Sequence, residues 1–438
     1  MNVTVVGGGL AGCEAAWALA ERGFRVTLHE MRPVVKTPAH QTDRLAELVC
    51  TNSFKSVELH NAHGVLKAEL RLLGSLLLRV ADQVRVPAGA ALAVDRDLFS
   101  RGVSDRVSTH PNVEVVREEA TSIPSPGIVA TGPLTSDRLA QAIGARLGAS
   151  QLAFFDAIAP IVSHDSLDMD RLYRASRYGK GSGDDYLNAP FDREAYYAFV
   201  EALAHGEQHH SHEFDQVPYF EGCLPAEEMA QRGPDVLRFG PMKPVGLPDP
   251  RTGQEPYAVV QLRSEDRAGQ MWNIVGFQTR LKIPAQREVL RTIPGLEHAE
   301  FLRWGSIHRN TYLNSPGALS AHLSARDDDR VMFAGQLTGV EGYTESLGTG
   351  LLCGINMARM LRGDDPVVPP EETMLGALLK YVHGADATRF QPMNANFGLL
   401  PPLERRMRDK RAKREALAER ALVAMRRFSE MLGPVPVS

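Results

Sequence analysis

NVTVVGGGLAGCEAAWALAERG, residues 2–23, is the stretch on which the fold turns. The apolar run 2–6 reads as a buried parallel strand, a glycine-dense turn follows, and CEAAWALAERG carries helical periodicity up to Gly23. RVTLHE then reads as a second strand, closing on Glu30. Gly7, Gly9 and Gly12 make G-x-G-x-x-G, with Gly8, Leu10 and Ala11 filling the turn. In this strand–turn–helix context the glycines let the backbone approach a pyrophosphate at a helix N-terminus, and an acid at Glu30 can accept hydrogen bonds from a ribose. The motif alone could be a packing turn. With both strands, the helix and the acid in place it reads as a dinucleotide site.

Two later segments favour FAD over NAD: GIVATG at 127–132 and RVMFAGQLTGVEGYTESLGTGLLCGINMARML at 330–361. In the second, a strand leads through a turn rich in glycine, with Gly335, Gly342 and Gly350 as cofactor-side candidates, into a helix whose positive end can face a flavin ring. RYGKGSGDD at 177–185 follows no clear strand and lacks the third glycine, so a second nucleotide fold is not expected. NAD(P)H, if it reduces the flavin, would visit without a fold of its own. Between the flavin-like segments lie the strand-like FFDAIAPIV, YAVVQLR, MWNIVGFQTRL and FLRWGSIHRNTY and the helical FDREAYYAFVEALAHG. The expected class is therefore α/β: an FAD-binding, Rossmann-type, glutathione-reductase-like domain split by an inserted α+β domain. Its expected divisions are 1–150, 151–310 and 311–438, with a basic helix at the end of the last.

The 438 residues are 43% hydrophobic and 23% charged, with a net charge of −4, a globular composition without low-complexity tracts. No basic leader precedes the first strand and no apolar run reaches the roughly 20 residues of a membrane span, so a cytoplasmic location and no membrane partner are expected. Cys13, Cys50, Cys223 and Cys353 lie far apart with no C-x-x-C pair, which predicts free thiols and no zinc site. HGEQHHSHEF, carrying His205, His209, His210 and His212, reads as a histidine-rich surface loop, and no metal is expected. Residues 404–428 hold ten Lys or Arg against four acids, a local +6 that suits either phosphate contacts or a solvated helix with i,i+4 pairs.

LVCTNSFKS (48–56), VPYFEGCLPAEEMAQRGPDVLRFGPMKPVGL (217–247), FQTRLKIPAQREVLRTIPGL (277–296), GQLTGVEGYTESLGTG (335–350) and FQPMNANFGLLPP (390–402) together resemble the folate- and flavin-dependent tRNA (uracil-5-)-methyltransferases over nearly the whole chain. FEGCLP and GPMKPVGL carry the resemblance most specifically. Gly348 departs from it, since relatives more often have Ala or Ser there. The resemblance implies methylation of the T-loop uridine, position 54, at C5. It also implies 5,10-methylenetetrahydrofolate as carbon donor, FADH2 re-reduced by NAD(P)H as reductant, and the T-arm of tRNA as the partner; no obligate protein partner is expected.

Uracil C5 becomes nucleophilic only after something adds at C6, and a thiolate adds and leaves well. Cys223 and Cys50 are the candidate thiols: Cys223 as nucleophile with cationic help from Arg238 or Lys243, and Cys50, which the resemblance places close to the flavin, as an assisting or protecting thiol, a reversible disulfide partner of Cys223, or the nucleophile itself. Tyr343 and Glu345 are candidates for positioning the isoalloxazine and removing the C5 proton, or else for a helix start. His308 could stack on a folate or flavin ring, or else be a satisfied structural histidine. The target must be flipped out of its loop, giving the basic helix and Arg280, Lys282, Arg287 and Arg291 a role in holding the RNA backbone. The alternatives are a wobble-uridine carboxymethylaminomethyl-type flavoprotein, for which a longer chain is expected, and a non-catalytic flavin-containing tRNA-binding protein.

Overall fold

The computed structural model describes residues 2–37, 39–147, 151–209, 224–404 and 407–433, with backbone alone for 151–158 and 307–311. Among the described residues, six strands form one sheet in the order Ser324–Ala325, Asp328–Phe333, Gly127–Val129, Asn2–Val6, Arg25–His29, Val113–Val116. Its neighbours run parallel except at the Ser324–Ala325 edge. Val3, Val5, Ile128, Val129, Val331 and Phe333 are fully buried, as strands covered on both faces require. The predicted strand, turn and helix all form, the helix spanning Leu10–Ala20. Gly7 has φ +105°, and a Cβ there would stand 2.5 Å from the Ala130 carbonyl oxygen.

The helix Tyr343–Leu361 packs against Leu10–Ala20 almost backbone to backbone. A Cβ on Gly350 would lie 2.2 Å from Ala11 O, and one on Gly354 2.7 Å from Ala15 O. Two glycines four residues apart lie on one helical face, and their missing side chains permit this approach. It brings the start of both helices to the same cleft. Glu14, buried within the first helix, turns away from that cleft and accepts hydrogen bonds from Leu76 N (3.2 Å) and Leu77 N (2.9 Å), satisfying the start of the helix Leu76–Gln83.

A second six-stranded sheet is antiparallel, in the order Tyr173–Arg174, Tyr186–Phe191, Ala258–Ser264, Met271–Ile274, Ile161–Ser163, Phe301–Arg303 among the described residues. It buries its own core, built on Phe191, Phe199, Val260, Leu262 and Ile274. Gln151–Ile158 and Ser306–Leu313 pair antiparallel as a ribbon between the two sheets in sequence. The helix Arg193–His205 forms where FDREAYYAFVEALAHG predicts it, capped by Asp192 accepting from Ala195 N at 2.8 Å. MWNIVGFQTRL is not one strand: it stops at Ile274, because Gly276 turns at φ +82°, and Ile283–Leu290 then forms a helix. The basic helix spans Lys410–Leu432 and starts where Asp409 accepts from Ala412 N. It lies on Ala62–Leu72 through Leu417, Ala421, Met425 and Phe428.

Gly350→Ala should lower the unfolding free energy by about 1–3 kcal/mol through overpacking. Gly317→Ala, where nothing lies within 4 Å of the added Cβ, should stay within about 0.5 kcal/mol. Urea midpoints of the two variants measure the difference.

Candidate active site

The glycine turn borders one continuous cleft. Its first part, about 550 Å³, is bounded by Gly7, Gly8, Glu30, Arg32 and Thr135; its second, about 620 Å³, by Leu10, Ala11, Gly335, Gln336 and Tyr343. Gly9, His40, Thr131 and Leu134 line both parts. A Cβ on Gly9 would meet nothing within 4 Å, so the helix start opens straight into the cleft, as a pyrophosphate requires. The residues present therefore fit a dinucleotide: an acid at one end, an open helix N-terminus in the middle and an aromatic-floored space beyond. Gly350 does not face this space; its closest approach is to the Ala11 backbone, and its part is to seat one helix on the other.

Glu30 receives Gly8 N (3.0 Å) on one oxygen and Arg32 N and Nε (2.9 Å each) on the other. Burial works against its charge, but the Arg32 guanidinium prevails and holds the carboxyl below its ordinary range. Sequence spacing finds Glu30 and misses its clamp, Arg32. It also misses His40, whose Nδ1 lies 2.6 Å from Thr37 Oγ1. Burial and then the Arg32 charge press His40 down to about 4, so it lines the cleft as a neutral ring at pH 7.

Cys50 is half-buried in a loop fixed from three directions. Its backbone N–H and that of Thr51 donate to Tyr343 Oη at 3.0 and 3.2 Å, from the start of the second helix. Its carbonyl accepts from Arg96 Nη2 at 3.0 Å, and Arg96 also reaches Leu48 O and the buried Glu265. Arg263, on the second sheet, donates to Asn52 Oδ1 (2.9 Å) and Thr51 Oγ1 (2.5 Å). Asn52 in turn donates to Val94 O and Ser264 O, both at 2.9 Å. The thiol loop is thus tied at once to the starts of two helices and to the second sheet. Burial pushes the Tyr343 phenol well above its ordinary value, so it stays protonated at neutral pH.

Glu345 is fully buried at the flavin-side turn, accepting from Ala395 N at 2.9 Å, with His63 Nδ1 at 3.2 Å. Burial opposes its charge, but His63, the Lys55 charge and the Ala395 amide together hold it down to about 2. Beneath it, buried Lys67 donates to Phe54 O at 2.7 Å, and burial lowers its amine to about 7. The Phe54 ring lies 5.5 Å from that of Tyr343.

With this geometry established, relatives supply the family. The family described as Glucose inhibited division protein A matches residues 2–365. The methylenetetrahydrofolate--tRNA-(uracil-5-)-methyltransferase TrmFO of Geobacter sulfurreducens is 57% identical over 425 residues, 97% of this chain and 98% of that one. The TrmFO of Anoxybacillus flavithermus is 54% identical, covering 99% of this chain and all (100%) of that one. The chain belongs to the TrmFO family. It is a methyltransferase of that family, and the dinucleotide its cleft fits is FAD. A crystal structure of Aquifex aeolicus GidA superposes with TM-score 0.71 at 17% identity, over 100% of this chain and 76% of that one, a likeness of fold.

The other candidates on this TrmFO chain fall in different places. Cys223, with Glu221, His210 and His212, lies outside the described residues. His308 sits on the ribbon opposite Asp156, and its side chain is likewise outside them. Cys13 and Cys353 are buried, donating to Gly8 O and Phe333 O, and burial pushes both thiols far up: they are packing. Arg238 lies 3.8 Å over the Tyr257 ring and donates to Tyr257 O, whereas Lys243 is exposed. Arg280 pairs with Glu228 and Lys282 with Glu207; Arg287 lies 5.8 Å over Trp304, and Arg291 donates to Ala299 O. On the basic helix Lys410, Lys413, Arg426 and Arg427 are exposed, while Arg411 pairs with Glu415 at i,i+4. Among the described residues no three His, Cys, Asp or Glu side chains converge on a metal position, and no helix is long and apolar enough to cross a membrane.

Because Glu345 is depressed from its ordinary 4.5 to about 2, its stabilising contribution is present above its unfolded value and is lost as pH falls toward the folded one. The wild type should therefore lose more stability than Glu345→Gln between about pH 5 and about pH 2. Urea titrations across that range measure the two slopes.

Proposed function

We propose that the chain methylates C5 of the T-loop uridine, position 54, in tRNA. The carbon comes from 5,10-methylenetetrahydrofolate, and FADH2 re-reduced by NAD(P)H is the reductant. The observation that carries this reading is the anchoring of Cys50 on Tyr343: a thiol-bearing loop is held beside a dinucleotide cleft by two helix starts and by the second sheet at once. The names of the near-full-length relatives support the same chemistry. Bound and reduced, FAD supplies the hydride that takes a formaldehyde-level carbon to a methyl group.

Cys223 is the nucleophile proposed for uracil C6, on the FEGCLP pattern, and Cys50 is the second thiol, at the flavin. Tyr343 positions Cys50, its oxygen taking two backbone N–H groups while its own proton remains to donate. Glu345 fits a structural part better than that of C5 base, because a buried carboxylate paired with His63 and held near 2 is a weak proton acceptor. It fastens residue 395 to the flavin-side turn. The exposed cations of Lys410–Leu432 are proposed to meet RNA phosphates.

Undermodified tRNA incubated with the protein, FAD, NADPH and methylenetetrahydrofolate should gain 5-methyluridine at one T-loop position by nucleoside mass spectrometry. Unmodified tRNA after complete flavin turnover would sink the reading. Cys223→Ser should abolish covalent capture of 5-fluorouridine-substituted tRNA, whereas capture that persists there and vanishes in Cys50→Ser would move the nucleophile to Cys50.

A further inference from the structure

RYGKGSGDD, 177–185, is a close-packed joint rather than a nucleotide loop. Gly89 N donates to Asp185 Oδ2 at 2.5 Å, Lys180 pairs with Glu58, and a Cβ on Gly181 would lie 2.8 Å from Gly89 Cα. At the other end of the stretch Arg177 donates to the carbonyls of Lys243 (2.8 Å) and Val245 and to Gln261 Oε1 (3.3 Å). Gln261 lies two residues before Arg263 on the strand Ala258–Ser264, on the same face and about 7 Å along it. Arg263 is the residue that holds Thr51 and Asn52 in the thiol loop. Between these anchors stands Tyr178, at φ +58° and ψ +29°, a left-handed backbone that a bulky side chain rarely takes. Its N–H donates to Gly246 O at 2.8 Å, and its ring lies against Gly246, where a Cβ would stand 2.5 Å from Tyr178 Cε1. Glycine backbone thus supports the ring on one side. The rest is open: Tyr178 is 64% exposed, and among the described residues its hydroxyl has no hydrogen bond and no second ring faces it.

A strained backbone that displays a ring instead of burying it serves position, not core packing. Charge points the same way. Among the described residues neither Arg177 nor the exposed Lys243 pairs with a carboxylate, while Glu255 takes Gly246 N at 2.6 Å. We propose that Tyr178 is a stacking platform for an unpaired nucleobase of the tRNA, next to the nucleotide that is modified, with the charges of Arg177 and Lys243 drawing the adjoining phosphates. The inference deepens the tRNA reading proposed above and rests on it. Flipping one nucleotide out of a loop breaks the stack on either side of it, and an aromatic side chain can take up the π-face that a neighbouring base then exposes. Tyr178 lines neither part of the cofactor cleft, so the flavin is not its occupant. A single wall with no opposing ring suits a base that keeps a stacked neighbour on its other face.

The test measures equilibrium binding of an unmodified tRNA transcript to the FAD-loaded full chain at several salt concentrations, in wild type, Tyr178→Gly, Tyr178→Asn and Tyr178→Phe. Glycine and asparagine both accept the left-handed backbone, so the fold is kept while the ring is lost. Both variants should raise the Kd for tRNA roughly tenfold, with flavin content unchanged and the slope of log Kd against log salt the same as in wild type. Tyr178→Phe, which keeps the ring, should bind close to wild type. Wild-type affinity in Tyr178→Gly or Tyr178→Asn overturns the proposal. A loss in Tyr178→Phe as large as in Tyr178→Gly would assign the effect to the hydroxyl, and a changed salt slope would assign it to a phosphate contact; either overturns the platform. So does a raised KM for methylenetetrahydrofolate at unchanged tRNA affinity, which would give the ring to the folate. Wild-type protein that binds tRNA with this dependence on Tyr178 yet never methylates it would remove the uracil reading and support this inference. Wild-type protein that does not bind tRNA overturns it.

Discussion

The close approach of the helices Leu10–Ala20 and Tyr343–Leu361 is the constraint from which the rest of the site follows. Gly350 and Gly354 remove the side chains that would otherwise hold the helices apart, and Ala11 and Ala15 receive them. Two helix starts more than 300 residues apart in the chain consequently border one cleft, joining a pyrophosphate position at Gly9 to the Tyr343 turn. A shift of one helix by a methyl group would move Tyr343 relative to the cofactor position, and with it every group that Tyr343 holds. At Gly348, an added Cβ would lie 2.9 Å from the end of the Leu375 side chain, a flexible neighbour that can yield where the Ala11 backbone cannot.

The second dependence is polar. The Cys50 loop has no regular secondary structure of its own, so its position is set by hydrogen bonds to Tyr343 and Arg96 at two helix starts, to Arg263 on the second sheet and to Val94 at the end of the short strand Ala91–Val94. Charge-assisted bonds of this kind are directional and strong when partly buried. The second sheet thereby acts on the thiol loop without lending it a strand. Glu345, His63 and Lys67 brace the same region from below, tying residue 395 and Phe54 to the helix start.

The cofactor cleft was readable in the sequence because its determinants are local: a short apolar run, three glycines at set offsets, and an acid ending the next strand. Cys13 and Cys353 were equally readable as packing, since both fall on the buried side of helical runs. Clamping residues were not. Arg32 and His40 lie in irregular chain without a diagnostic spacing, and Arg96 and Arg263 meet Cys50 or its loop from 46 and 212 residues away. Gly350 was recognised as constrained but given the wrong neighbour: a glycine pattern records that space is scarce, not whether a ligand or another helix occupies it.

By itself, then, the sequence determined the dinucleotide unit, the two kinds of sheet and the thiols that remain candidates for chemistry, because strand period, helix period and turn chemistry act over a few residues. Tertiary structure decided which groups meet. It buried Glu345 against His63 and the Ala395 amide and placed the Cys50 loop on Tyr343. Those outcomes depend on burial and on distances between remote segments, which alter charge and hydrogen bonding in ways that no local pattern encodes.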